Sequence, residues 1–225
     1  MYLLIPPSSA RIQAFLAQQS CLPFSYSPVG ATYLQVCQVP SYLPKGYVID
    51  HNRTLLGHGE AAFIKARAAL RAWRMFAIDW VDPFLYPAVL AENTAVAILA
   101  RLTLPLPLFP PLPGLWSLNA ARIIYILEQS GPIERYGFAY GTLPDHAEQG
   151  EERFSVEWHR RDDTVWYDIL AFSRPNQMPA RFGYPLARGL QRRFAAASLA
   201  AMRQAILQSD SEPIRKVPSP LVKEG

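Results

Sequence analysis

The sequence predicts an α+β fold in which several antiparallel strands are closed by one long C-terminal helix. Three observations predict it. From Arg135 to Arg174 the chain, RYGFAYGTLPDHAEQGEERFSVEWHRRDDTVWYDILAFSR, reads as consecutive strands separated by polar turns. From Gly183 to Gln208 the apolar residues recur at helical spacing instead. Half of the 225 residues are apolar and 18% are charged, the balance of a globular chain long enough to bury a substantial core.

The elements follow in order. Ser8 or Ser9 caps a first helix through Arg11, Ile12, Phe15 and Leu16, whose apolar spacing is helical. Pro23 and Pro28 then impose a loop through FSYSPVGATY. Gly46 to Leu56 suits a strand, ended by Gly57 and Gly59. From Glu60 the period changes: Phe63, Ala66, Leu70 and Trp73 form one stripe of an amphipathic helix that fades between Asp79 and Pro83. Trp73, Phe76 and Trp80 are expected to cluster, because their combined area is too large to leave in water.

Ala95 to Leu104 is an apolar, β-compatible run, and LPLPLFPPLPG after it is a loop. Four short strands follow: Arg122–Glu128, Tyr136–Leu143, Arg153–Arg160 and Val165–Ser173. In the third, Phe154, Val156 and Trp158 interleave with Ser155, Glu157 and His159, and RRDDT supplies the turn to the fourth. The last helix places Leu186, Leu190, Phe194, Ala197 and Ala201 on one face, with Met202, Ala205 and Ile206 beside them; Arg188, Arg192, Arg193 and Arg203 occupy the other. Residues 1–45 are thus an N-terminal helix and loop extension, 46–209 the main domain and 210–225 a disordered tail. Leu190 and Phe194 are expected to be buried against six or seven strands.

This order resembles the helix-grip arrangement of the Bet v 1 and START-related superfamily, in which a curved antiparallel sheet wraps around the C-terminal helix. A curved sheet cannot fill its own concave side, so one helix covers it and the unfilled space becomes a pocket. A closer resemblance lies in FAYGTLPDH, GEERF, VWYDILAFSRP and GYPLARGLQRRF, with SPVGAT, GYVIDHNRTLLGHG and AFIKARAALRAWRMF upstream. These are similar to the uncharacterised family called domain of unknown function nineteen-ninety, over Tyr26 to Met202. The chain departs from that pattern at Asp145, where glycine is expected, and at Ala121, where cysteine is common. The helix-grip resemblance implies a hydrophobic small molecule or lipid as the partner; the family supplies no activity.

Composition excludes several classes. A net charge of +4 with pI near 9.1 is far from the concentrated positive charge of nucleic-acid binders, so none is expected. The apolar stretch Thr94–Trp116 contains Arg101 and five prolines from Pro105 to Pro113, which rules out a spanning helix; contact with a membrane surface stays open. The N-terminus lacks the basic segment of a secretory signal. Cys21 and Cys37 fit reduced thiols in a cytoplasmic protein better than a bridge. No metal or cofactor is expected, for no second histidine or cysteine stands at ligand spacing.

The candidate ligand-binding residues are Tyr136, Tyr140, His146, Glu152 and Arg153. Tyr136, Phe138 and Tyr140 share one strand face, opposite Gly137, Ala139 and Gly141, whose small size permits close approach of a helix or ligand. His146, near the GEER carboxylates, suits acid–base chemistry. Strand alternation sets Glu151 and Arg153 on one face and Glu152 on the other; a cavity-facing Glu152 without a partner should show a raised pKa. His51 and His58 read as exposed loop histidines, and the C-terminal arginines as a solvated face pairing with Asp162, Asp163 or Glu157. No nucleophile motif is present. Two functions stand side by side: a non-enzymatic binder, and an enzyme using the same cavity. An interaction domain built on the arginine-rich helix is a third.

Overall fold

In the computed structural model the described residues are 1–36, 43–85, 90–102, 115–176 and 184–208. One antiparallel sheet contains β1 (Tyr2–Leu3), β2 (Val48–His58), β3 (Val81–Leu85), β4 (Ala95–Leu102), β5 (Leu115–Gln129), β6 (Ile133–Thr142), β7 (Glu148–His159) and β8 (Thr164–Pro175). Its order is β2-β8-β7-β6-β5-β4-β3, with β1 paired to β5. The helices are α1 (Ser9–Gln19), α2 (Ala31–Val36), α3 (Gly59–Arg71) and α4 (Tyr184–Gln208), with a 3₁₀ turn at Arg74–Phe76. The helix-grip fold is therefore present, with eight strands among the described residues rather than six or seven.

The extra strands are short. β1 has two residues, and β3 has five and includes Pro83, tolerated because β3 is an edge strand. Elements of that length carry too little periodicity to be read from sequence, and the six-residue α2 escaped for the same reason. β5 starts at Leu115 and β7 at Glu148, both earlier than the alternation suggested.

Both faces of the sheet are covered. On the convex face α1 lays Ile12, Phe15 and Leu16 against Ala97, Leu99, Leu118 and Ala120. Ser8 caps α1 by accepting from the Arg11 N–H. Gln19 at its end exchanges two hydrogen bonds with Asp145, the residue that stands where glycine was expected. On the concave face α3 and α4 share a core with Phe138, Phe154, Tyr167 and Ile169. Trp73 and Phe76 cluster as expected, their rings 5.5 Å apart, and Trp80 packs partly buried on the same core. Trp73 adopts a left-handed φ of 55°, ending α3 where glycine is usual.

The buried seam of α4 is Ala195, Ser198, Met202, Ala205 and Ile206. Leu190 and Phe194 were expected to be buried against the sheet, but both are half-buried. They lie where α4 leaves a gap over the sheet, and they line that gap. Tyr167 and Ser198, their hydroxyls 2.9 Å apart, tie the helix to β8 where it does touch. The tail 210–225, the proline-rich loop at 105–113, Cys37, Arg181, Gly183 and the side chain of Leu186 lie outside the described residues.

Met202 is fully buried and Leu207 is 69% exposed. Met202→Ala should therefore lower stability by about 2–5 kcal/mol and Leu207→Ala by less than about 0.5 kcal/mol, read from urea denaturation midpoints. Equal effects at the two positions would mean that α4 packs through a different face.

Candidate functional site

The gap between the concave face and α4 is a cavity of about 380 Å³. Its position follows from how α3 lies. α3 and the turn after it fill the end of the sheet that carries Tyr136, Val156 and Trp158, with Phe63 on the Trp158 ring. Among the described residues nothing comparable covers the other end, where β2, β7 and β8 bring Asp50, Glu152 and Ala171 to the same face. Toward β3 and β4 the wall is apolar, made by Trp80, Ile98, Ala100 and Leu102, and α4 adds Leu190 and Phe194.

The polar wall is one rung of the sheet. Asp50 pairs with Ala171, Ala171 with Glu152, and Glu152 with Tyr140. Directly opposed residues point to the same side, so Asp50 and Glu152 flank the small Ala171. The Tyr140 hydroxyl donates to Glu152 Oε2 at 2.6 Å. Burial raises the Glu152 pKa to about 7; the Tyr140 bond opposes the rise, and the nearby charges of Glu148 and Asp50 add to it. The Tyr140 phenol is itself held well above its ordinary range, by burial first and by Glu152 next.

Glu148 lies on the same face, accepts from Gln191 of α4, and is also raised by burial. Asp50 receives both terminal nitrogens of Arg188, at 2.6 and 2.7 Å.

His146 lines the cavity, and its Nδ1 accepts the Glu148 N–H at 3.0 Å. Burial lowers its pKa to about 4, which keeps the ring neutral at physiological pH. Among the described residues no group of three or more His, Cys, Asp or Glu side chains is arranged to hold a metal ion.

Tyr140, His146 and Glu152 thus meet in the cavity, and two candidates do not. Tyr136 shares the face but lies under α3, where its hydroxyl accepts from Arg71 Nε at 2.9 Å and Arg67 stacks on its ring at 4.6 Å. Arg153 alternates to the convex face, buried, donating to Asp168 at 3.0 Å and to the Thr32 carbonyl at 3.0 Å. A Glu152–Arg153 pair facing one ligand is therefore excluded by the pleat. His51 and His58 are exposed as expected but lie on β2 rather than in a loop, and His51 stands 2.6 Å from Asp168 of the same convex cluster.

The C-terminal arginines are not a uniformly solvated face. Arg188 turns inward to Asp50, and Arg193 lies 5.0 Å over the Trp80 ring. Glu157, expected to pair with them, instead meets Arg135 and His159.

Asp50, Glu148, Ala171 and Gln191 are cavity residues that sequence reading missed. Extending the β7 alternation back from Glu152 through Gly150 reaches Glu148, so that signal was present. Asp50 gave none, since its strand face reads Val48, Asp50, Asn52 and Thr54, with no apolar period.

Glu151, next to Glu152, faces the opposite way and anchors the N-terminal extension. It accepts from the Tyr26 hydroxyl at 2.8 Å, from the Gly30 and Thr32 amides at 2.7 and 2.9 Å, and from the Thr32 hydroxyl. The small face of β6 makes room for this. A Cβ at Gly141 would stand 2.4 Å from the Tyr26 hydroxyl, so the close approach there is made by the extension's own aromatic ring rather than by a ligand.

Residues 25–201 match the family described as Domain of unknown function (DUF1990). The chain belongs to this family. It is 33% identical to the UPF0548 protein of Dictyostelium discoideum, over 92% of this chain and 96% of that protein. It is 37% identical to the UPF0548 protein of Deinococcus radiodurans, over 87% and 93%. Among solved structures it is similar to human STARD10, at 13% identity and a TM-score of 0.41, over 92% of this chain and 82% of that one. No helix among the described residues is long and apolar enough to cross a membrane.

Two predictions come from this geometry. An unfolded glutamate releases its proton near 4.5, whereas folded Glu152 holds its proton up to about 7. Between those values the folded state binds more protons, so Glu152 makes stability fall as pH rises through that window. Glu152→Gln should be more stable than the parent at pH 8 by up to about 3 kcal/mol, the gain vanishing below pH 4.5, as read from denaturation midpoints across pH. In addition, Glu151→Ala leaves several buried donors without an acceptor. It should lower stability by at least about 3 kcal/mol and speed hydrogen exchange at the Gly30 and Thr32 amides.

Proposed function

We propose that this protein is a cytoplasmic binder of a hydrophobic small molecule or lipid, held in the cavity between the concave sheet face and α4. The observation that carries this reading is the half-burial of Leu190 and Phe194 on the longest helix, facing the apolar wall of β4 across open volume. A helix that closed fully onto the sheet would bury those side chains. Covering such surface with a ligand is worth about 25 cal/mol per Å², with no catalytic machinery required. The cavity also lies within the 300–1,000 Å³ range usual for small-ligand sites and combines apolar walls with a few convergent polar groups, as such sites do. The compartment is supported by Cys21, an exposed free thiol of the kind a reducing environment preserves.

A second reading is favoured by one observation. Glu152 exchanges its proton near neutrality and is hydrogen-bonded to a tyrosine inside the cavity, which suits a general acid or base. The third, an interaction surface on the arginines of α4, has less support, because Arg188 and Arg193 are engaged within the molecule.

Native mass spectrometry of the purified protein tests the first reading. A bound mass that is released on denaturation is expected from the parent. Ala171→Phe, which fills the floor of the polar wall, should lose that mass while keeping its thermal midpoint within a few degrees. A ligand retained by Ala171→Phe would place binding elsewhere.

A further inference from the structure

Resting on the reading of the cavity as a binding site, we propose that its ligand carries a protonated amine, seated over Ala171 against Glu152, with an apolar body running toward Trp80 and Ile98. The two walls of the cavity have different chemistry. Its apolar wall comes from β3, β4 and the turn before β3, at one side of the sheet, while its carboxylates come from β2 and β7 at the other. An occupant that satisfies both has one apolar end and one end complementary to carboxylate.

The state of each charged group selects a cation. Asp50 is neutralised by Arg188, which takes both of its oxygens. Glu148 is held by two neutral donors, Gln191 and Ser173, with the Arg188 charge nearby. Glu152 has only the Tyr140 hydroxyl, on Oε2; its Oε1 accepts no hydrogen bond from a described residue although the side chain sits inside the cavity. Glu152 is half-buried and lines the cavity, so that oxygen is open to a donor that a ligand brings, and a charged donor there makes a strong hydrogen bond. The methyl of Ala171 between Asp50 and Glu152 leaves the room for it. Arg192 of α4, exposed at the cavity lining, is the cation an anionic ligand would use instead.

The groups that bear on Glu152 are Tyr140 on β6, Glu148 on β7, Asp50 on β2 and Tyr167 on β8. Its strand neighbours thus offer hydroxyls and carboxylates. A bound amine therefore favours the ionised carboxylate, and binding near neutral pH should release a proton.

Three probes of equal length test this: octylammonium, octanol and octanoate, titrated calorimetrically into the parent, Glu152→Gln and Ala171→Phe at pH 8 and pH 5.5. The amine is expected to bind the parent at pH 8 at least about tenfold tighter than the alcohol, and the acid most weakly. At pH 5.5, where Glu152 is protonated, that preference should shrink. Glu152→Gln keeps the side chain's shape and should erase the preference while leaving octanol affinity unchanged. If octanol or octanoate binds the parent as tightly as the amine, or if Glu152→Gln retains the preference, the amine inference fails and the cavity reading survives. If no probe binds the parent, or if all three bind Ala171→Phe equally well, the cavity reading fails together with it.

Discussion

Strand β7 is covered on both faces and carries ionisable residues on both. Everything else in the molecule is arranged around that constraint. A strand in the middle of an ordinary antiparallel sheet can expose its charged residues on one side. Here Glu151, Arg153 and Glu157 point under the N-terminal extension and neighbouring strands, while Glu152 points under α4. The three on the convex side are buried and must be satisfied inside the protein, since an unpaired buried charge is far more costly than a buried apolar group. Asp168 on β8 meets Arg153, Arg135 on β6 meets Glu157, and the loop from Tyr26 to Thr32 closes on Glu151.

The two faces are satisfied to different degrees. On the convex side Glu151 accepts four hydrogen bonds. On the concave side its neighbour Glu152 accepts one and is pushed toward neutrality. Both residues belong to one strand, so the difference comes from what covers them. The convex face received a segment of chain with its own amides to offer. The concave face received a helix that stands off from the sheet at this point, with Leu190, Gln191 and Phe194 across the gap. Destabilised groups that persist at a cavity are the usual mark of a site shaped for something other than stability.

How far the sequence revealed this follows the same physics. Long elements were legible because their period repeats: the stripe Phe63, Ala66, Leu70 marked α3, and the alternation from Phe154 to Trp158 marked β7. The opposition of Glu152 to Glu151 and Arg153 was legible from the pleat alone. The roles of Tyr136 and Arg153 were not, because a strand face is shared along its length while the cavity occupies only part of it, and nothing in β6 says that α3 will cover Tyr136. The seam of α4 was misjudged for a related reason. Leu190 and Phe194 are apolar at helical spacing whether they meet the sheet or a void, and periodicity cannot distinguish the two. Ligand cavities are lined by the same residues as cores, so pattern alone merges them.

The convex anchor also bears on the concave site. A side chain is placed only as well as its backbone, and Glu151 and Glu152 share a peptide unit. The bonds that Glu151 receives from Tyr26, Gly30 and Thr32, together with the Arg153 bond to the Thr32 carbonyl, clamp that stretch of β7 from outside. The β6 and β8 ladders clamp it laterally, at Tyr140 and Ala171. Glu152 is thus held from three directions, while the fourth, toward α4, is left open. Such support fixes a polar group in position without neutralising it. The segment from Ser9 to Tyr33 thus supports the cavity wall from outside, although none of its side chains lines the cavity.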